Sequence, residues 1–173
     1  MQFNEGQTVI HPHHGPAVIT GSMVRTVRGA AVEYLNLEIQ ATGMSVCMPL
    51  EKCEELGLRA VAGTGMLDQL ADVLCSPSCA QETQWARRMK AQRMEVATGD
   101  PVRIAAVVRD LLRRREERGL SLAEKDLLKE ASAPLVAEIA IAVNATEDDA
   151  RDVMRSLAID ACRDVLDKAR VAA

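Results

Sequence analysis

Three cations, Arg87, Arg88 and Lys90, follow within five positions of Trp85, the only tryptophan among 173 residues. Arg93 stands one helical turn further on, and no other stretch of the chain sets chemistry-bearing side chains at so suggestive a spacing. Cations of this kind contact phosphates, and a flat apolar side chain among them can wedge against or between bases. Core building does not demand this tryptophan. Phe3 and Tyr34 are the only other aromatic residues, so the core must consist of Leu, Val, Ile, Ala and Met. Helix formers run from Trp85 to Ala97, which puts Trp85 at a helix N-terminus with room to project past its end. The alternative is that Trp85 packs under a neighbouring helix and the arginines form a solvated face. These residues alone leave both readings open.

The elements that must position this stretch begin with charge. The chain carries a net −4 with a pI near 5.4, unlike a wholly basic nucleic-acid binder. Residues 85–118, however, hold ten Arg or Lys against five Asp or Glu, while residues 54–84 hold one against five and residues 121–173 seven against eleven. Positive charge confined to one internal segment is what a protein meeting a polyanion on a single face requires. The length allows one domain or two small ones. No apolar run reaches the length of a membrane span, and Met1–Glu5 does not open a signal peptide, so a soluble cytoplasmic protein is expected.

Residues 7–50 alternate with period two between turns. Strands are predicted over Thr8–His11, Ala17–Thr26, Ala31–Gln40 and Ser45–Pro49, separated by Pro12–Pro16, Gly29 and Thr42–Gly43. Four short strands joined this way cannot hide both faces of a flat sheet, so a small, bent antiparallel β-barrel is expected. Its edge strand would remain open to pairing with another protein's sheet. His11, His13 and His14 invite a metal, but the turn brings no Cys, Asp or Glu ligand. A turn in which the histidines satisfy backbone groups is the expectation, with no metal and no cofactor. Cys47, Cys53, Cys75, Cys79 and Cys162 contain no CxxC pair and are read as reduced thiols.

A linker follows, giving predicted boundaries of 1–55 for the barrel, 56–65 for the linker and 66–173 for an all-α domain, an α+β protein of two domains. Met66, Leu67, Leu70, Val73 and Leu74 line a helix ended by Pro77. The Trp85 helix stops at Thr98-Gly99. Asp100-Pro101 caps and opens a helix along Ile104, Val107, Val108, Leu111 and Leu112, closed by Gly119. Ser121–Glu124 is a capping box for the next helix, with a kink or break expected near Glu130 because of Pro134. Thr146 caps a final helix through Val165, which either packs back or mediates self-association. The run Arg113–Arg115 cannot share one face; interaction with the helix C-terminus and a second phosphate patch are both open to it. No Gly-rich phosphate loop, Gly-x-Ser-x-Gly, His-Glu-x-x-His or apolar carboxylate pair is present, so no enzymatic activity is expected.

Phe3-x-x-Gly6-x-Thr8-Val9-x-x-Pro12-His13-His14-Gly15, Arg25-Thr26, Glu33-Tyr34-Leu35 and Pro49 resemble the RNA-polymerase-interacting module of CarD-type bacterial transcription regulators. Trp85–Lys90, Val107–Leu111 and Glu117–Lys125 are similar to the helical module of the same family, in the same order, and the likeness extends over about residues 1–142. It implies a Tudor-like barrel docking on the polymerase β subunit through Arg25, Thr26 and the strand Val46-Cys47-Met48. It also implies a helical module on promoter DNA at the upstream edge of the melted region, with Trp85 as a wedge in the minor groove. Arg87, Arg88, Lys90, Arg93 and Lys125 would then contact phosphates without reading sequence, and the protein is expected to be a monomer. Cys47 departs from the family, whose actinobacterial members carry a polymerase-contacting arginine at that position. Two further readings stay open: an operator-specific regulator, with Gln92 and Arg93 meeting base edges, and a protein–protein adaptor with Trp85 in its core.

Overall fold

A computed structural model describes residues 3–61, 63–78 and 82–172. The chain forms two compact units, Met1–Val61 and Ala62–Ala173.

The first unit is an antiparallel sheet of five strands, β1 (Thr8–His11), β2 (Gly15–Val27), β3 (Ala30–Ile39), β4 (Ser45–Pro49) and β5 (Arg59–Ala60), in the order β4-β3-β2-β1-β5. One face buries Val9, Ala17, Ile19, Leu35, Leu37, Ile39 and Met48 over Cys53 and Leu58. The four strands predicted from sequence are therefore present, and inward alternation is kept along β3 and β4. Two expectations do not hold. The sheet is open rather than a closed barrel, because among the described residues no ladder joins β4 to β5. Arg59–Ala60, placed in the linker by sequence, pairs with Val9 and Ile10 and belongs to the sheet unit. A two-residue strand has no periodicity to read. Curvature enters at Gly21, where a register shift in the β2–β3 ladder coincides with a φ of +141°, open to glycine and strained for other residues.

The second unit contains α1 (Thr64–Cys75), α2 (Trp85–Ala97), α3 (Pro101–Arg118), α4 (Leu122–Ala142), α5 (Glu147–Asp160) and α6 (Asp164–Ala172) around one apolar core. Three of its starts are set by the residues predicted to set them. Asp100 Oδ1 accepts from Val102 N at 2.9 Å, Ser121 and Glu124 form the full capping box, and Thr146 accepts from Asp149 N. Pro134 does not break α4. Ala131, Leu135 and Val136 around it are all buried, and their packing carries the helix across the missing donor. The expected single last helix is two, separated at Ala161, whose φ of +48° ends α5. Leu157 and Leu166, on either side of that break, both enter the core, so this segment packs back on its own unit. Among the described residues no helix is long and apolar enough to cross a membrane.

Candidate nucleic-acid interface

Trp85 is the first residue of α2 and is half exposed, at 50 % of its surface, so it is not the core side chain that the adaptor reading needs. Gln84 precedes it in an extended conformation and gives the helix no side-chain cap, so the first amides of α2 face outward with the positive end of the helix dipole. Trp85, Ala86, Met89, Met94, Ala97 and, from α4, Ala123 line an apolar groove rimmed by Lys90 and Arg93. Arg87, Lys90 and Arg93 are exposed, and among the described residues none of them enters an ion pair or a hydrogen bond. Lys125 is exposed on the first turn of α4 but does not line this groove, because two residues from Ala123 on a helix turn it to another face.

Arg88 is a correction. Expected on the basic face, it is 6 % exposed and turned inward, where its Nη2 donates to Glu124 Oε1 at 3.1 Å. Helical geometry predicts this outcome once the buried side is known, because Arg88 lies beside Met89 and one turn before Gln92, the other two buried residues of α2. Burial of Gln92 also removes one of the two side chains, Gln92 and Arg93, that the operator reading set at base edges.

Glu124, which sequence had singled out only as part of the capping box, is 2 % exposed and gathers three elements. Arg88 of α2 and Arg114 Nε of α3 both stand 3.1 Å from its Oε1, while Ser121 donates to its Oε2 from the backbone at 3.0 Å and from the hydroxyl at 2.7 Å. Burial pushes the Glu124 carboxyl up, but the Ser121 hydrogen bonds and the two guanidinium groups outweigh that and hold it below the usual carboxylate range. The arginine run is likewise internal in part. Arg113 donates to Ala158 O at 2.7 Å, Ser76 O at 2.8 Å and Leu74 O at 3.1 Å, closing the C-terminal ends of α1 and α5 rather than presenting a phosphate patch.

In the sheet unit, β4 is an edge. Ile39 N donates to Met44 O at 2.9 Å, and that parity makes Leu37–Val46 and Leu35–Met48 the bonded pairs. The backbone groups of Ser45 and Cys47 therefore point off the edge, whereas those of Val46 and Met48 face β3. Met48 is buried, and the exposed Cys47 donates its thiol to Asn36 Oδ1 at 3.1 Å. Arg25 lies on the same sheet face as Cys47, over the Tyr34 ring at 5.7 Å, and Thr26 alternates to the other face. His11 acts as a turn acceptor: its Nδ1 receives the backbone N–H of His13 at 3.2 Å and of His14 at 3.3 Å. Burial, with the charges of His14 and His13, lowers its pKa to about 4. Cys47, Cys53, Cys75 and Cys162 are free thiols, and Cys79 lies outside the described residues.

Comparison with known proteins agrees with this division into two units. Residues 3–62 match the CarD-like/TRCF RID domain, and residues 69–155 match the CarD C-terminal domain. YdeB of Bacillus subtilis (strain 168), named as a candidate transcription factor, is 25 % identical over 145 residues, spanning 84 % of this chain and 95 % of the relative.

Proposed function

We propose, from the premise that this chain belongs to the CarD family, that it holds RNA polymerase and promoter DNA together and stabilises the melted promoter. Membership itself makes it a transcription-associated, RNA-polymerase-interacting factor. The finer reading assigns the β4 edge to the polymerase β subunit. Strand addition at Ser45 and Cys47 through backbone groups would supply affinity, with Arg25 on the same face adding a charged contact. The helical unit then lies on DNA at the upstream fork. The observation that carries this is that Arg87, Lys90 and Arg93, unpaired among the described residues, surround an apolar groove headed by a half-exposed Trp85.

An acidic protein with so few free cations on one face binds DNA weakly by itself. Tethering through the sheet unit removes that difficulty, because it raises the local concentration to roughly the millimolar range. The cations then register the backbone, and Trp85 occupies the distorted minor groove where the strands part, opposing reannealing. Gln92 is buried, so no amide side chain of α2 is placed to read a base edge, and contacts of this kind serve many promoters.

Titration of forked duplex DNA against salt tests the assignment. Arg87→Ala, Lys90→Ala, Arg93→Ala and Lys125→Ala should each weaken binding regardless of sequence and lower the slope of log affinity on log salt by about one. A wild-type slope in all four variants would leave this face without a DNA role.

A further inference from the structure

Helix α2 carries the exposed face, yet little apolar packing holds it. Of its 13 residues only Arg88, Met89 and Gln92 are buried, so a single hydrophobic side chain, helped by the partly buried Val96, anchors it to the core. What else fixes it is polar. The Arg88 guanidinium binds Glu124 through Nη2 at 3.1 Å, and through Nη1 it donates to the carbonyl oxygens of Glu82 at 3.0 Å and Thr83 at 3.4 Å. One planar group thus ties α4 to the two residues from which the chain enters Gln84 and Trp85.

We propose that Arg88 and Glu124 are positioning residues: together they set the direction of the first turn of α2 and so the projection of Trp85, and Arg88 makes no phosphate contact. The consequence for DNA rests on the function proposed above; the positioning itself is a property of the free chain. Three observations support it. Gln84 offers no side-chain cap, so nothing within α2 orders its start; the backbone N–H of Gln84 is met instead by Glu82 Oε1 at 3.0 Å, inside the segment that Arg88 holds. Glu124 cannot swing away to follow a displaced Arg88, because Ser121 holds its Oε2 and Arg114 stands on its Oε1. Trp85, half exposed, lacks the packing that would fix its direction if the turn frayed.

The forked shape of the guanidinium is the part that matters. A lysine at position 88 would keep the charge opposite Glu124 but is a single-point donor, and it cannot at once span a carboxylate on α4 and two carbonyls in the preceding segment. Arg88→Lys therefore separates positioning from charge.

Trp85 is the only tryptophan, so time-resolved fluorescence anisotropy of the full-length chain reports this turn alone. In the wild type the indole should follow the tumbling of its domain. Arg88→Lys should add a fast local motion and weaken binding to forked duplex DNA about fivefold, the effect of one lost hydrogen bond, with the salt slope unchanged. Glu124→Gln, which leaves Arg88 buried without a counter-charge, should show both changes more strongly, and its circular dichroism shows whether it remains folded; Arg88→Lys decides the matter if it does not. A residue that only adds stability would lower the unfolding midpoint and leave the indole motion in native buffer unchanged. Wild-type anisotropy in Arg88→Lys overturns the proposal, as does a salt slope lowered by about one in the charge-free Arg88→Gln, which would make Arg88 a phosphate contact. If the wild type itself fails to bind DNA, the proposed function falls, while the anisotropy still decides the positioning.

Discussion

Helices α2 and α3 are both rich in arginine and put it to opposite use. On α3, Arg109 is 4 % exposed and donates to Val73 O at 3.1 Å and Ser76 Oγ at 2.7 Å. Arg113 closes the carbonyls at the ends of α1 and α5, and Arg114 pairs with Glu124. The last turn of α1 contains no basic residue of its own, so its open carbonyls draw these side chains in from a neighbouring helix. On α2 only Arg88 is consumed in this way, while among the described residues the side chains of Arg87, Lys90 and Arg93 meet no carbonyl or carboxylate. A basic run becomes a surface for a partner where the fold leaves it unanswered, and sequence shows the run without showing the answer.

The largest effect expected from this contrast is at Arg113. Arg113→Met would strand the carbonyls of Leu74, Ser76 and Ala158 and should cost about 3 kcal/mol of unfolding free energy, with the salt slope for DNA unchanged. Urea unfolding followed at Trp85 measures it. By contrast Arg87→Ala, Lys90→Ala and Arg93→Ala should each move stability by less than about 0.5 kcal/mol. A large stability loss in the α2 variants, or a small one in Arg113→Met, would erase the distinction between the two helices.

The same division runs through the sheet unit, between a polar group taken inside, His11, and one left at an edge, Cys47. The unfolded chain protonates His11 near its ordinary 6.5, whereas the folded chain does so only at about 4. The unfolded state therefore binds more protons in between, and stability falls as the pH is lowered through that window, by on the order of 2–3 kcal/mol when complete. Protonation would also turn Nδ1 from an acceptor into a donor facing the backbone N–H groups of His13 and His14. Tyr34, the only tyrosine, lies in this unit, so its fluorescence follows the loss separately from Trp85; replacing His11 with Gln should flatten the pH dependence.

Cys47 carries the smaller effect. Its outward backbone groups do not depend on its side chain, so docking of the β4 edge should survive there, and Cys47→Arg, restoring the family's charged contact beside Arg25, should tighten binding to the isolated β-subunit lobe by about 1 kcal/mol. Equal or weaker binding would mean that this edge docks otherwise than in the family.

Much of the fold was legible because it is set locally. The caps at Asp100, Ser121 and Thr146 and the alternation of β3 and β4 each depend on residues within a few positions. What was not legible depends on distant or atypical causes. The fate of Arg88 is decided by Glu124, 36 residues away in sequence. Ala161 ends α5 against the helix propensity of alanine, and β5 exists only because β1 offers it an edge. At the candidate site the place of Trp85 at a helix start was readable from the residues that follow it, whereas its exposure and the division of the cations into bound and free required the fold.

We propose that the half-exposed Trp85 and the cations beside it act on melted promoter DNA. The lifetime of competitor-challenged open complexes of the cognate polymerase, measured with wild-type protein and with Trp85→Ala, tests it most directly. With Trp85→Ala, still folded and still bound to polymerase, that lifetime should fall to near the value without the factor. An unchanged lifetime with Trp85→Ala bound would contradict it.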